Sequence, residues 1–312
     1  MKKILAIGSV TADVLVKRVD TLPKAGTLSG IDNVFMLPGG CAVNAAIDLK
    51  KLGADVSLSC LIGNDGFGSM LLTKFKEVGL DTKGVIVSND VSTTVSIVLI
   101  NSNGERSFLY NPGSAAVFTK EHIDKKLTDE ADIIFVAGEM LLPSFEGKDL
   151  AEFFSEMRSK GKITVMDTAW DKDGKWLERI KEALPFTDLF MPSREEAELI
   201  SGKTDPDEIA DFFFDCGCRS VIIKLGKEGA LICPERETRF RQGCAPCREV
   251  VDTTGAGDSF CAGFLFGISN GWSFERSARF ASCVASCCIE KTGASEGILS
   301  YEKTIERLGA GI

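Results

Sequence analysis

Between residues 133 and 226, short apolar segments alternate regularly with segments of helical pattern. The predicted strands are 133–137, 163–167, 189–191 and 221–224, and the helices between them lie around 150–159, 175–183 and 194–201. Strands joined through helices pair in parallel, so this alternation predicts a parallel sheet with helices on both faces. In a sheet of this kind, ligands bind at the carboxyl ends of the strands.

The first 112 residues follow this alternation only in part. Strands are predicted at 4–8 and 56–62, and helices at 42–52 and 66–78, each ended by a glycine. The segments near 10–36 and 90–112 favour short strands, with a hairpin turn at Asn103-Gly104. They predict a small antiparallel sheet that covers a site on the main sheet. Because no linker divides the chain, we predict one domain over 1–312 with these two lid segments.

Composition limits the class of protein. The 312 residues are 44% hydrophobic and 26% charged, as in an ordinary soluble enzyme. A net charge of −9 argues against a nucleic-acid surface. No apolar run reaches the roughly 18 residues that a membrane span needs. An acidic protein that handles phosphates must therefore build its positive potential locally, from backbone N–H groups, lysines or a metal ion.

Cysteine and histidine usage narrows the chemistry further. The N-terminus resembles a strand rather than a signal peptide, so the eleven cysteines predict reduced thiols in a cytoplasmic protein. A zinc site is a minor alternative, with ligands Cys216, Cys218, Cys244 and Cys247. The single histidine, His122, lies in a polar segment and favours an exposed helical position. Carboxylates or lysines, rather than histidine, are therefore the candidate acid–base residues.

The segment DTTGAGDSF at residues 252–260 has the pattern of an anion site beside a carboxylate. Gly255, Ala256 and Gly257 allow backbone N–H groups to converge on an anion at the start of a helix. Asp258 follows directly, where a carboxylate can accept the proton of an attacking hydroxyl. This pattern favours phosphoryl transfer, although the same residues would also suit a simple capped turn.

A second candidate site lies near residue 40. The chain has neither a P-loop nor a G-x-G-x-x-G motif after its first strand, which makes both standard nucleotide loops improbable. Gly39 and Gly40 allow a ligand to approach the backbone closely, and Asn44 offers both a donor and an acceptor. Sugar hydroxyls need that mixture, while a glycine-led helix capped by asparagine is the structural alternative.

Together these motifs resemble the PfkB, or ribokinase-like, family of carbohydrate kinases. The resemblance rests on GGCAVNAA at residues 39–46, LG at 52–53, IGNDGFG at 62–68 and DTTGAGDSF at 252–260. It covers essentially the whole chain. It implies a three-layer α/β sandwich with a mostly parallel central sheet and a small β-sheet lid that often mediates dimers. It also implies transfer of the ATP γ-phosphoryl group to a sugar hydroxyl.

The resemblance gives roles to residues on the sugar side. Asp258 would be the base, with Gly255, Ala256 and Gly257 as the anion hole. Asp13 matches the acidic sugar-binding position, and a surface carboxylate is the alternative for it. Gly39, Gly40 and Asn44 would complete the hydroxyl contacts, and Glu139 would line the same pocket.

On the nucleotide side, KLGKEG at residues 224–229 resembles the family's loop near the ATP ribose and phosphates, with Lys224, Gly226 and Gly229. The family's Asn-x-x-Glu element, which helps to position magnesium, appears as Ser193 to Glu196, with serine in place of asparagine. The resemblance also puts Ser282 beside the adenine. Mg²⁺ is expected as well, because it neutralises nucleotide phosphates.

Many relatives also bind a monovalent cation such as K⁺ behind the anion hole. The resemblance implies the Asp252 carboxylate and backbone carbonyls at or near Thr254, Ile289, Gly293 and Ala294 as its ligands. A purely structural Asp252 that caps the turn is the alternative.

We therefore predict an ATP-dependent kinase acting on a small sugar such as ribose, fructose or a keto-deoxy sugar acid. Position 41 is cysteine rather than the lysine of several ribose and phosphosugar kinases, which weakens both of those assignments. An unphosphorylated sugar is therefore the first choice. Trp170 could stack on that sugar or be an exposed structural residue. The alternatives are a nucleoside kinase of the same fold and a catalytically silent sensor, against which the intact Asp258 and its anion hole argue. The resemblance also predicts a homodimer formed through the lid.

Overall fold

The computed structural model describes residues 1–309, and the predicted alternation forms one large sheet within it. The described strands are β1 Ile4–Gly8, β2 Thr11–Lys17, β3 Asn33–Gly39, β4 Val56–Gly63, β5 Asp81–Ser88, β6 Thr94–Ile100, β7 Arg106–Asn111, β8 Ile133–Ala137, β9 Ile163–Met166, β10 Leu189–Phe190, β11 Ser220–Lys224, β12 Ala230–Glu235 and β13 Thr238–Gln242. The predicted single domain over 1–312 includes residues 310–312, which lie outside the described residues.

The described helices flank this sheet. They are α1 Cys41–Lys51, α2 Gly66–Glu77, α3 Lys125–Glu130, α4 Gly147–Ser159, α5 Leu177–Ile180, α6 Arg194–Ser201, α7 Pro206–Asp215, α8 Ala256–Ser269, α9 Phe274–Cys288 and α10 Tyr301–Leu308. No helix among these residues is long and apolar enough to cross a membrane.

Within residues 1–309 the main sheet has nine strands, in the order β13-β12-β11-β10-β9-β8-β1-β4-β5. Pairing is parallel from β5 through β11, and β12 and β13 close the edge as an antiparallel hairpin. In the central strand β1, Ile4 and Ala6 belong to the core on one face, and Leu5 and Ile7 to the core on the other. Full burial of both faces is the reason that this strand is apolar throughout.

A separate four-stranded sheet, which we call the lid sheet, has the order β3-β2-β6-β7. We expected it to be antiparallel, but β2 pairs with β6 in parallel. A parallel pair needs a long crossover, and residues 18–93, with two helices and two core strands, supply it. The other two pairings of the lid sheet are antiparallel.

The helix predicted at 175–183 is wrong in extent, because only the single turn α5 forms there. The Asp171 carboxylate accepts backbone N–H groups from Asp173, Lys175 and Trp176, which holds the preceding residues in a tight loop. Trp176 has a φ of 45°, outside the helical range, so the helix cannot begin before it. His122 lies in a 3-10 turn instead of on an exposed helix, and its Nδ1 accepts the Thr119 N–H at 3.0 Å.

Candidate active site

The two predicted motifs meet at the carboxyl edge of the main sheet. Helix α1 follows Gly40, helix α8 follows Gly255, and the two helices pack against each other. Asn44 of α1 donates its amide N–H to Asp258 Oδ2 at 2.8 Å, across 214 residues of sequence. The Asn44 Oδ1 atom is buried and has no hydrogen-bond partner among the described residues. A buried acceptor without a partner is available to a ligand hydroxyl.

The start of α8 has the geometry of an anion site. Gly255 has a φ of 77°, and a Cβ there would lie 2.5 Å from the Ala294 carbonyl oxygen, so only glycine fits. No side chain in the described part of the chain caps this helix. Its first-turn N–H groups and the positive end of its dipole are therefore available to an anion.

Asp258 sits in the first turn of α8, facing Asn44. Loss of hydration raises the pKa of its carboxyl above the usual value, and the hydrogen bond from Asn44 opposes part of that rise. A carboxylate with a raised pKa is a better proton acceptor. The arrangement therefore suits a general base beside an anion site.

Asp13 lies close to Gly39, next to the start of α1. Asp13 lies on β2, and a Cβ at Gly39 would come within 2.1 Å of its Oδ2 atom. Gly40 has a φ of 97°, and a Cβ there would lie 2.5 Å from the Ser9 carbonyl oxygen. Loss of hydration raises the pKa of Asp13 to about 7. Because neither glycine has a side chain, the Asp13 carboxylate can lie close to Gly39 and the Ser9 carbonyl close to Gly40.

Lys224, at the end of β11, brings a positive charge to the same edge. Its Nζ donates to Asp167 Oδ1 at 2.7 Å, and it lies 3.5 Å from where a Cβ at Gly257 would be. Burial raises the pKa of Asp167 to about 7, against the opposing effect of the Lys224 charge. The ammonium group thus lies beside the first turn of α8, where an anion would bind.

Ser193 and Glu196 form a capping box at the start of α6. Glu196 Oε2 also accepts from the Thr168 hydroxyl at 2.9 Å. Among the described residues no group of three or more His, Cys, Asp or Glu side chains could hold a metal ion. Glu196 fits Mg²⁺ only as one contact, so phosphate oxygens and water would have to supply the rest, which is usual for this ion.

The loop at 226–229 and Ser282 lie beyond Lys224. Gly229 has a φ of 89°, and a Cβ there would collide with the Gln242 carbonyl oxygen at 1.9 Å, whereas Gly226 has open space around it. The Ser282 hydroxyl donates to the Gly243 carbonyl and accepts the Ala245 N–H. In this structure Ser282 therefore fixes the loop that follows β13.

The remaining candidates differ in exposure. Glu139 is fully buried, its two carboxylate oxygens have no hydrogen-bond partner among the described residues, and burial raises its pKa well above the usual value. A ligand could therefore contact Glu139 only in a pocket that extends into the protein interior. Trp170 is exposed and packs edge-on against Trp176, with ring centroids 5.1 Å apart.

The four cysteines of the zinc alternative are free thiols that differ in exposure. Cys218 is buried, Cys216 is half-buried, and Cys244 and Cys247 are exposed.

The residues named for a monovalent cation are connected to one another. Asp252 Oδ2 accepts the Gly293 N–H at 3.1 Å, and the Ile289 carbonyl accepts the Asp252 N–H at 3.2 Å. The Cys288 thiol donates to the Thr254 and Ala294 carbonyls. The loop before α8 and the segment after α9 thus form a single cluster.

Two charged residues at this edge were missed by the sequence analysis. Asp167 is a carboxylate at the carboxyl end of a predicted strand, and its position alone could have drawn attention to it. Arg106, on lid strand β7, pairs with Asp252 at 2.8 Å across 146 residues, and no local pattern indicates that contact.

Comparison with known proteins agrees with this geometry. The model of the pfkB family carbohydrate kinases matches residues 1–300. The chain is 30% identical over 280 residues to 2-dehydro-3-deoxygluconokinase from Bacillus subtilis, covering 87% of this chain and 86% of that protein. It is 28% identical over 310 residues to a nucleoside kinase from Methanothermobacter thermautotrophicus, covering 99% and 96%.

Solved structures show the same fold. A ribokinase from Arabidopsis thaliana, complexed with ribose and ATP, superposes with a TM-score of 0.88 at 23% identity and 99% coverage of both chains. An Escherichia coli protein described as ribokinase II, in complex with ATP and Mg²⁺, gives 0.83 at 21% identity, again with 99% coverage of both chains. Relatives of this chain thus bind sugar, ATP and Mg²⁺.

The chain belongs to the PfkB family of carbohydrate kinases. Its expected ribokinase-like α/β fold with a separate lid sheet is confirmed, and so is its class as a phosphotransferase kinase.

Proposed function

We propose that this protein transfers the γ-phosphoryl group of ATP to a hydroxyl of a small, unphosphorylated sugar or sugar acid. The observation that carries the proposal is the hydrogen bond between Asn44 and Asp258. It joins a hydroxyl-binding residue to a carboxylate at an anion site, which a phosphoryl acceptor and its base require.

The chemistry follows from the positions of these groups. The sugar hydroxyl, held by Asp13 and the free Asn44 oxygen, attacks the γ-phosphorus atom in line with the leaving oxygen. Asp258 takes the hydroxyl proton as the new P–O bond forms. The N–H groups of Gly255, Ala256 and Gly257 stabilise the charge that develops on the phosphoryl oxygens. Closure of the lid sheet excludes water, which would otherwise compete as acceptor.

The nucleotide would lie between α8 and the 226–229 loop. Lys224, held by Asp167, supplies a positive charge beside Gly257 and would contact a phosphate of ATP. Ser193 and Glu196 would hold Mg²⁺ through its water shell, where the ion neutralises phosphate charge. Gly226, Gly229 and Ser282 are proposed to border the ribose and adenine.

An unphosphorylated acceptor is supported by the residue at position 41. Cys41 begins α1, and a Cβ at Gly138 would lie 3.2 Å from its sulfur atom. A neutral thiol there offers no charge to a sugar phosphate. Glu139, which the resemblance puts in the same pocket, remains a predicted sugar contact, while Trp170 keeps both alternatives, a stacking surface for the sugar or an exposed structural residue.

A nucleoside acceptor is the second candidate. It is favoured by the nucleoside kinase among the relatives, which matches almost the whole chain at an identity close to that of the gluconokinase. A nucleoside base would need apolar walls beneath the lid sheet, and the lid strands carry Phe35 and Tyr110.

An ATP-consumption assay over sugars, sugar acids, sugar phosphates and nucleosides tests the proposal. We expect turnover with an unphosphorylated sugar or sugar acid. Preferred turnover of nucleosides would support the second candidate. ATP binding without turnover of any acceptor would favour the catalytically silent sensor and contradict the proposal.

Three further properties belong to the proposal. Eleven free thiols support a cytoplasmic protein, because thiols stay reduced in that compartment. Exposed apolar residues on β3 and β7 support a homodimer through the lid sheet. The third property, whether turnover depends on potassium, is tested by the same assay when potassium chloride is replaced by choline chloride.

A further inference from the structure

The Asp252 carboxylate already has four hydrogen-bond donors in this structure. Its Oδ1 atom accepts from Arg106 Nη2 at 2.8 Å, from the Thr254 N–H at 3.0 Å and from the Thr254 hydroxyl at 2.7 Å. Its Oδ2 atom accepts from the Gly293 N–H at 3.1 Å. The Asp252 side chain is only 3% exposed. This carboxylate is therefore satisfied by the protein alone.

Three of the carbonyl oxygens named for a monovalent cation also have donors. The Ile289 carbonyl accepts two backbone N–H groups, from Val251 at 2.8 Å and from Asp252 at 3.2 Å. The Cys288 thiol lies 3.0 Å from the Ala294 oxygen and 3.4 Å from the Thr254 oxygen. A cation at this cluster would have to displace Arg106 and the thiol. With the lid sheet in this position, the residues do not fit a monovalent cation.

Arg106 is well suited to replace such an ion. A second guanidinium nitrogen donates to the Thr254 hydroxyl, so the side chain engages both Asp252 and Thr254. The buried Asp252 carboxylate needs a positive partner, because an unpaired charge inside a protein is costly. A guanidinium, which is always charged, supplies one.

The contact also links two parts of the molecule. Arg106 belongs to β7 at the edge of the lid sheet, while Thr254 precedes Gly255, the residue that leads into α8. An unpaired negative charge just before the anion hole would repel a phosphate group. When the lid sheet lies in this position, Arg106 neutralises the Asp252 charge and fixes the loop that contains Thr254.

We propose that the Arg106 guanidinium takes the place of a monovalent cation at Asp252 in this kinase. The lid sheet, to which Arg106 belongs, positions the guanidinium there. Arg106 is thus a positioning residue for the anion hole, and phosphoryl transfer needs no added potassium. This inference rests on the proposed function.

The test compares the wild type with Arg106→Gln, which keeps hydrogen-bonding capacity but removes the charge. Turnover is measured with ATP, Mg²⁺ and the accepted sugar, in potassium chloride or in choline chloride at equal ionic strength. We expect the wild type to be equally active in both salts. Arg106→Gln should lose about tenfold or more in choline chloride, and potassium should restore much of the loss. Arg18→Gln, which removes another arginine next to the lid sheet, is the matched control and should behave as the wild type.

A second readout does not depend on turnover. Potassium should raise the melting temperature of Arg106→Gln but not of the wild type, because a bound ion stabilises only a protein with a site for it. This measurement stays informative if no sugar is phosphorylated, an outcome that would overturn the proposed function alone. Potassium activation of the wild type, full activity of Arg106→Gln without potassium, or a loss that potassium does not restore would each overturn the role of Arg106.

Discussion

Burial changes the pKa of both Asp13 and Asp258, but the contacts of the two carboxyl groups differ. Both carboxyls have a raised pKa because they lose hydration. Asp258 also receives a hydrogen bond from Asn44, which favours its ionised form. Among the described residues Asp13 has no such opposing contact, and its pKa reaches about 7. Its charge therefore changes within the pH range in which the protein can be assayed.

The affinity for sugar should depend on pH through Asp13. Below pH 7 the raised pKa leaves Asp13 mostly neutral, and above it the carboxylate can accept two sugar hydroxyls. We expect affinity for the accepted sugar to rise through about pH 7 and then level off, by up to about tenfold per pH unit. Calorimetric titration without ATP measures this directly.

Two variants separate Asp13 from its neighbour. Asp13→Asn should bind sugar weakly with little pH dependence near neutrality. Asp258→Asn keeps Asp13 and should retain the rise. An unchanged pH dependence in Asp13→Asn would show that another group titrates.

At the residue scale, the site residues that could be predicted from the sequence are those that belong to short local motifs. Asp258 and Gly255 lie in one nine-residue motif, and Asn44 follows two glycines at a spacing that puts it in the first helical turn. Arg106 could not be found in this way, because its partner Asp252 is 146 residues away and only the position of the lid sheet brings them together. Long-range charge pairs leave no periodic signal in a single sequence.

At the scale of elements, the junction of β3 and α1 depends on backbone that only glycine permits. Gly40 and Gly53 flank α1, and both have a positive φ, 97° and 88°. A Cβ at Gly40 would lie 2.5 Å from the Ser9 carbonyl oxygen, whereas a Cβ at Gly53 would meet no atom of the described residues within 4 Å. The two positions thus share a positive φ but differ in the space that a Cβ would meet.

This difference gives a matched pair of substitutions. Gly53→Ala should lower the free energy of unfolding by about 1 kcal/mol from backbone strain alone. Gly40→Ala should cost about 1 to 3 kcal/mol more, because the backbone must move away from Ser9. It should also reduce kcat/KM for the sugar by roughly tenfold or more through misplacement of α1. Urea unfolding and steady-state kinetics measure both effects, and equal losses in the two variants would contradict the close approach.

Elements with strong periodicity were predicted well, and those held by side-chain contacts were not. Strand β1 and helix α6 have the predicted bounds. The helix expected at 175–183 is only one turn long in the structure. The Asp171 carboxylate accepts the N–H groups of Lys175 and Trp176, which keeps these residues out of a helix. The parallel pairing of β2 with β6 was also missed, since pairing direction depends on the whole intervening crossover.

At the scale of the whole molecule, the lid sheet leaves apolar side chains in contact with solvent. Val34 and Met36 on β3 and Leu109 on β7 are all exposed, and the strand registers place them on the same face of the lid sheet. Grouped apolar residues on an otherwise acidic surface are typical of an interface. They support the predicted homodimer through the lid sheet.

A pair of charge substitutions tests this interface. Leu109 is 55% exposed on the lid sheet, and Leu199 is 46% exposed on α6. Leu109→Glu should weaken dimerisation by at least about tenfold, since a buried charge is costly at an interface. Leu199→Glu, the same kind of change away from the lid sheet, should have no effect. Sedimentation velocity measures both, and a wild type that is monomeric at all concentrations would contradict the dimer.

The central claim is that Asp258 takes the proton of a sugar hydroxyl during phosphoryl transfer. The most direct measurement is the rate of phosphorylated-sugar formation by Asp258→Asn, alongside calorimetric binding of ATP. Asp55→Asn, the same change at an exposed carboxylate outside the site, serves as control. The account predicts that Asp258→Asn loses about 10² to 10⁴-fold in kcat while ATP affinity changes little. A variant that forms the product at the wild-type rate would contradict it.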